Sequence, residues 1–252
     1  MISSELLQAA EAGDITAINT IGSSFFEEEK FTDAARWYER SANLGDSFGK
    51  QMAFSLWGLL GSACESNGYY DDALARWRGS YQMALKVIAD TNLTNAERDV
   101  ALAKRAEILC GIGANLYVLG RKEEALEPLS LAAEEGSLMA KVVLGMYYAT
   151  TATNLTVVES YRQAIPLLET LFNTNFTYEK KSQLDRSIVY VAYSQLATAY
   201  RTGLGGMVPS IERAHTCMLH LQNQDLHDFS GEITVELKKY RKKLLGGYAY
   251  IG

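Results

Sequence analysis

A frame of residues that returns at one fixed interval constrains this chain more than anything else in it. Ile21-Gly22-x-x-Phe25 is followed by Phe31-x-x-Ala34-x-x-x-Tyr38. The same order returns at Leu60-Gly61-x-x-Cys64 with Tyr70-x-x-Ala73-x-x-x-Trp77, and at Ile112-Gly113-x-x-Leu116 with Ala125-x-x-x-Leu129. In each copy the leading aliphatic residue stands thirteen positions before the alanine. Two further copies are stretched between their halves. Leu144-Gly145-x-x-Tyr148 reaches Ala164-x-x-x-Leu168 with seven extra residues in 149–158, and Leu196-Ala197-x-x-Tyr200 reaches Ala214-x-x-x-Met218 with five around 203–209. A fixed period of this kind is the mark of stacked supersecondary units, and insertions fall where the turn inside a unit is exposed.

A second motif closes several units. Ser41-Ala42-x-x-Gly45-Asp46 matches Ala132-Ala133-x-x-Gly136-Ser137 and Ala9-Ala10-x-x-Gly13-Asp14. The small pair lets two helices approach closely, the glycine ends one helix in a left-handed conformation, and the Asp or Ser caps the next. The glycine of the leading Leu-Gly is expected to leave room for the aromatic residue of the second helix, such as Tyr38 or Trp77. With only three prolines in 252 residues, the periodicity predicts helices near 4–12, 15–29, 31–44, 48–67, 70–90, 95–119, 122–135, 138–150, 157–173, 180–202, 209–223 and 230–245. Pro128 and Pro166 fall inside two of these and predict a kink or a late start, while Pro209 suits a helix start. At the C-terminal end, Phe229, Ile233, Leu237, Tyr240 and Leu244 trace one apolar helical stripe. The basic run Lys238, Lys239, Arg241, Lys242 and Lys243 then reads as the solvated face of a capping helix over 229–245, the other reading being a site for an anionic partner, nucleic acid or lipid headgroups.

The order Leu-Gly-x-x-Tyr, then Ala, then an aromatic residue resembles the tetratricopeptide repeat. Ala34-x-x-Trp37-Tyr38-x-x-Ser41-Ala42-x-x-Gly45, with the glycine turn Tyr200-Arg-Thr-Gly203-Leu-Gly205, is closest to the Sel-like subfamily of those repeats. The resemblance covers roughly residues 4–223. It implies an all-α fold, a right-handed α-solenoid of helix-turn-helix repeats with helical caps. Residues 1–252 would form one such domain: an N-terminal cap at 4–13, about five units in 14–223, and the capping helix at 229–245. It also implies a scaffold or adaptor that binds a protein or peptide on its concave face. The family's groove positions map onto Asn19, Ser23, Phe26 and Glu27 in the first unit and onto Ser62, Glu65 and Ser66 in the second. They map onto Tyr117 in the third and onto Ser194, Thr198 and Arg201 in the last. The alternatives are a sensor that holds a small peptide or metabolite inside the superhelix and, behind it, a helical-repeat enzyme.

Other chemistries find little support in the sequence. His215, His220 and His227 are spaced five and seven apart, off a shared helical face, and read as polar helix surface rather than metal ligands. Gly203-Leu-Gly205-Gly206 lacks the Lys-Ser/Thr of a phosphate loop and reads as a turn. No nucleophile elbow or metal motif appears, so neither catalysis nor a cofactor is expected. Cys64, Cys110 and Cys217 are odd in number and set in helical patterns, which predicts buried thiols. Asn92, Asn154 and Asn175 begin Asn-x-Thr sequons that read as loop and helix-start residues. A net charge of −6 argues against a general affinity for nucleic acid. The first residues carry acids early and no apolar core of signal-peptide length, so a cytoplasmic location without membrane insertion is expected.

Overall fold

The computed structural model describes residues 2–150, 155–173, 183–223, 226, 229–243 and 246–252. They are almost entirely helical: α1 (Ser4–Glu11), α2 (Ile15–Glu27), α3 (Phe31–Asn43), α4 (Ser47–Ser66), α5 (Tyr70–Ile88), α6 (Asn95–Val118), α7 (Lys122–Glu134), α8 (Leu138–Thr150), α9 (Val157–Leu168), α10 (Gln183–Thr202), α11 (Ile211–Gln222) and α12 (Ser230–Leu237). A two-stranded sheet follows, β1 (Tyr240–Lys242) and β2 (Tyr248–Tyr250). The chain divides into two compact units. The first is Met1–Arg121 with Glu134–Gly136, and the second is Lys122–Ala133 with Ser137–Gly252.

In the first unit each helix from α1 to α5 packs on its successor. The ends of these helices follow from their caps. Asp14 accepts from the Ala17 amide and Asp46 from the Gly49 amide, while Thr94 and Glu97 form a reciprocal capping box at the start of α6. Gly45, at φ 96°, turns the chain out of α3 in the left-handed region, as its motif requires. The small pair before it does its expected work as well. A Cβ built on Gly49 of α4 would stand 2.7 Å from the Ser41 Cβ, so the two helices cross at backbone contact.

The glycine–aromatic pairing also appears. A Cβ on Gly22 would lie 3.0 Å from Tyr38 Cε1, and one on Gly61 would lie 2.9 Å from Trp77 Cδ2. Trp77 is gripped from its other side by Gly111 of α6, outside the repeat frame, where a Cβ would be 2.7 Å from Cε2. Tyr38 is fully buried, so its ring has nowhere to retreat. Gly22→Leu is therefore expected to cost about 1–3 kcal/mol through overpacking. That loss would appear as a lower urea midpoint at unchanged slope, and a wild-type midpoint would remove Gly22 from the packing seam.

In the second unit α8 packs on α9, α10 on α11 and on α8, and α11 on α12. In the fourth copy a leucine takes the place of the aromatic residue, and a Cβ on Gly145 would meet Leu168 at 3.0 Å. The inserted turn at 203–209 is built from left-handed glycines and closed by a bond from the Ser210 amide to the Tyr200 carbonyl at 2.7 Å. Helices run through Pro128 and Pro166, and α9 tightens into a 3-10 turn at Glu169–Asn173. Neither helix starts late. Pro209 lies before the cap rather than in the first turn, because Ser210 supplies the N-cap of α11.

The C-terminal segment corrects the expected helix over 229–245. It stops at Leu237, and the chain then pairs Tyr240 with Tyr250, Arg241 with Ala249 and Lys242 with Tyr248 in antiparallel register. Gly246 and Gly247 both sit at positive φ and make the reversal, and the tyrosines on either side favour strand. Of the apolar stripe, Ile233 is buried from the helix and Tyr240 from the strand, while Leu244 lies outside the described residues. Lys238, Arg241, Lys242 and Lys243 are exposed, on a helix end and a ribbon rather than on one helix.

His215 is a second correction. It is buried rather than polar surface, with its ring 3.8 Å from that of Tyr248 and 5.3 Å from that of Tyr240, and burial lowers its pKa. His220 is half-buried with its ring 5.0 Å from that of Phe172, and His227 lies outside the described residues. Cys110 and Cys217 are buried, Cys64 is half-buried, and none of the three forms a disulfide. Asn92 sits in the turn after α5 with its amide bonded to Asp90, and Asn154 and Asn175 are outside the described residues.

Candidate functional site

A groove of about 700 Å³ opens in the second unit between α10, α12 and the ribbon. Its α10 wall follows from helical spacing. Tyr190, Ser194, the adjacent Ala197 and Thr198, and Arg201 recur at steps of three or four and so share one face. Three of the residues expected at a binding face, Ser194, Thr198 and Arg201, are thus brought together. Ile233 anchors α12 beneath the opposite wall, which presents Glu232, Val235 and Glu236. At one end Tyr190 stacks on Phe229 with ring centroids 4.4 Å apart and 8° between planes.

The other end is charged and aromatic. Arg201 Nη1 lies 3.3 Å from Glu236 Oε1, and its guanidinium is 4.0 Å from the centroid of the Tyr250 ring. Tyr250 donates its hydroxyl proton to the same Glu236 oxygen at 3.1 Å, while Lys239 Nζ is 2.8 Å from Glu236 Oε2. Burial works to raise the Glu236 pKa, but the hydrogen bonds from Lys239 and Tyr250 and the nearby cations outweigh it and hold the carboxyl below its ordinary value. Burial also pushes the Tyr240 hydroxyl up to about 12. The groove thus offers a fixed carboxylate, a guanidinium with one face already stacked, two hydroxyl side chains and tyrosine rings. That inventory suits polar and aromatic recognition.

The remaining expected residues lie in the first unit and differ among themselves. Phe26 is exposed and meets Phe31 edge-on at 5.4 Å, and Glu27 is exposed. Ser62 and Ser66 are exposed on α4, the Ser66 hydroxyl bonding the Ser62 carbonyl at 2.9 Å. Tyr117 is half-buried on α6. Asn19, Ser23 and Glu65 serve the fold. Asn19 Nδ2 donates to Asp46 at 2.9 Å, and the Ser23 and Tyr38 hydroxyls are 3.0 Å apart. Glu65 Oε2 accepts from Trp77 Nε1 at 3.2 Å and from Asn115 Nδ2 at 2.7 Å. Its position in the repeat predicts an open face, but α6 brings Asn115 onto it from fifty residues away.

Sequence reasoning missed Asn115, Glu236 and Tyr250. Asn115 carried a signal, a lone amide within Leu109–Leu116, an otherwise apolar run. Glu236 and Tyr250 carried none, since their roles depend on the ribbon. A smaller pocket of about 350 Å³ holds Glu169, Tyr200 and Arg213. There the Tyr200 hydroxyl bonds Glu169, and the Arg213 guanidinium lies 4.2 Å from the Tyr200 ring centroid. Among the described residues no group of three His, Cys, Asp or Glu side chains is placed to hold a metal ion, and no helix is long and apolar enough to cross a membrane. Neither a protein-family model nor a curated protein matches the chain.

Proposed function

We propose that the chain is a cytoplasmic scaffold of the tetratricopeptide type, closest to the Sel-like repeats, which holds a protein or peptide partner and performs no catalysis. In this reading its helix pairs continue one right-handed α-solenoid of about five units, and α10 contributes to the concave face. The observation that carries the reading is the groove itself. Ser194, Thr198 and Arg201, picked out by their place in the repeat, line one wall of a cleft large enough for a peptide.

The test is affinity capture on the full chain from its host's lysate, with the retained proteins identified by mass spectrometry and the capture repeated with Ser194→Arg. Ser194 is half-buried on the groove wall, so the longer side chain would fill the cleft. The variant is expected to keep its helical circular dichroism and to weaken partner binding at least about tenfold, equivalent to about 1.4 kcal/mol. Undiminished retention of every captured protein would move the working surface elsewhere.

A further inference from the structure

The groove between α10 and α12 is partly filled by the chain itself, and the manner of filling defines a ligand. Cross-strand partners share a face of a ribbon, and so do residues two apart on one strand. The register pairs Tyr240 with Tyr250 and Lys242 with Tyr248, so the three tyrosines and Lys242 share a face, while Arg241 and Ala249 point the other way. The tyrosine face is the docked one. Tyr248 rests on His215 at 3.8 Å, and Tyr250 covers the Arg201 guanidinium at 4.0 Å.

Tyr250 is held at two points of different chemistry. Its ring takes the flat face of a guanidinium, and its hydroxyl donates to Glu236 Oε1 at 3.1 Å. Phenylalanine would satisfy the first contact and leave the second unmade. A lysine would offer Glu236 a donor but no ring to the guanidinium, and a carboxylate offers neither. A phenol makes both contacts at once.

The ribbon does not fill the cleft. Open space continues along α10 from Arg201 to Tyr190. Eleven residues of helix rise about 16 Å, which matches about five residues of extended chain. The ribbon is also weakly tied down. A two-stranded sheet has little stability of its own. Beyond its tyrosine contacts and its pairing with β1, the second strand and the residue after it are tied to the rest of the chain by bonds that include the Tyr248 amide on Glu212 at 3.4 Å and the Ile251 amide on the Lys239 carbonyl at 2.9 Å.

We propose that this groove recognises an extended peptide segment through a tyrosine seated between Arg201 and Glu236, and that the C-terminal ribbon occupies the slot in cis until such a segment displaces it. The proposal rests on the groove being the working surface and adds to that the chemistry of the occupant. An intramolecular ligand competes at an effective concentration near the millimolar range. The ribbon thus sets a threshold that an incoming segment exceeds by using the open length toward Tyr190.

The test uses the full chain and a fluorescein-labelled heptapeptide of residues 246–252, Gly-Gly-Tyr-Ala-Tyr-Ile-Gly, followed by fluorescence anisotropy. Tyr250→Ala empties the slot and is expected to bind the peptide at least tenfold more tightly than the wild-type chain does. Adding Arg201→Ala should remove that gain, and a peptide with phenylalanine at position 250 should bind several-fold more weakly. Tyr248→Ala loosens the ribbon at His215 without touching the slot, so it should also raise uptake and serves if Tyr250→Ala fails to fold. Equal binding by the wild type and the folded variants, or binding indifferent to Arg201→Ala, would overturn the proposal. So would a wild-type dimer that Tyr250→Ala abolishes, because the ribbon would then be seated in a second copy. If the heptapeptide fails to bind while Ser194→Arg still abolishes capture of lysate proteins, the tyrosine is wrong and the groove stands.

Discussion

Trp77→Ala should destabilise the chain by about 3–5 kcal/mol, the range expected for removing a buried large aromatic side chain. The indole is 5% exposed and fills a slot between two glycines on different helices, Gly61 of α4 and Gly111 of α6. Both glycines are backbone-close to the ring, so neither carries a side chain that could swing into the vacated space. The substitution also withdraws the Nε1 proton from Glu65, leaving Asn115 as its neighbour across the helices. A loss of this size should lower the melting temperature by roughly 10 °C or more. Trp77→Phe, which keeps most of the ring, should lose clearly less. If alanine and phenylalanine melt together, the slot between the glycines does not govern stability.

The second large effect is expected at Asp90, in the turn after α5, and it depends on acidity. The side chain is 3% exposed and gathers Lys50 Nζ at 2.7 Å, the Ser47 hydroxyl at 2.7 Å and the Asn92 amide at 3.0 Å. The hydrogen bond from Lys50, then those from Ser47 and Asn92, hold its pKa down at about 2, against an ordinary 3.8. The folded value lies below the unfolded one, so this contribution is complete above about pH 4 and is lost as the pH falls through 2. Asp90→Ala also leaves Lys50 largely buried without its partner, a change that typically costs about 3–5 kcal/mol. Urea midpoints of wild type and variant should therefore lie far apart at pH 7 and converge between pH 4 and pH 2. A gap of constant width over that range would show that the charge on Asp90 is not what stabilises the turn.

What could be read from the sequence was whatever neighbours in the chain decide. Asp14, Asp46 and Thr94 cap the helices that follow them, and their spacing to the first turn is written in the residues themselves, so the helix starts fall within a residue or two. The pairings of Gly22 with Tyr38 and of Gly61 with Trp77 are likewise short-range within one repeat. The C-terminal ribbon escaped because its evidence was divided. Phe229, Ile233 and Leu237 satisfy a helical period, and nothing in that period announces that Tyr240 will pair with Tyr250 across two glycines. Glu65 and His215 were misjudged for a related reason. What covers them arrives from Asn115 and Tyr248, distant in sequence, and a repeat position says which way a side chain points without saying what later lies over it.

Asp46 has a consequence for how the first unit comes apart. Its carboxylate caps α4 through Gly49 while also accepting from Asn19 of α2 and Ser41 of α3. Burial works to raise its pKa, and these three bonds, with a fourth from the Phe48 amide, more than compensate, so the group is held ionised by donors from three consecutive helices. In an array where each element touches mainly its neighbours, the terminal pieces would ordinarily fray one at a time. Here, detaching α2 strips the anion of one donor, and detaching α3 or α4 strips it of another. The amides of these three helices should then exchange with solvent through one shared opening, which makes α2–α4 a single cooperative block despite its modular sequence.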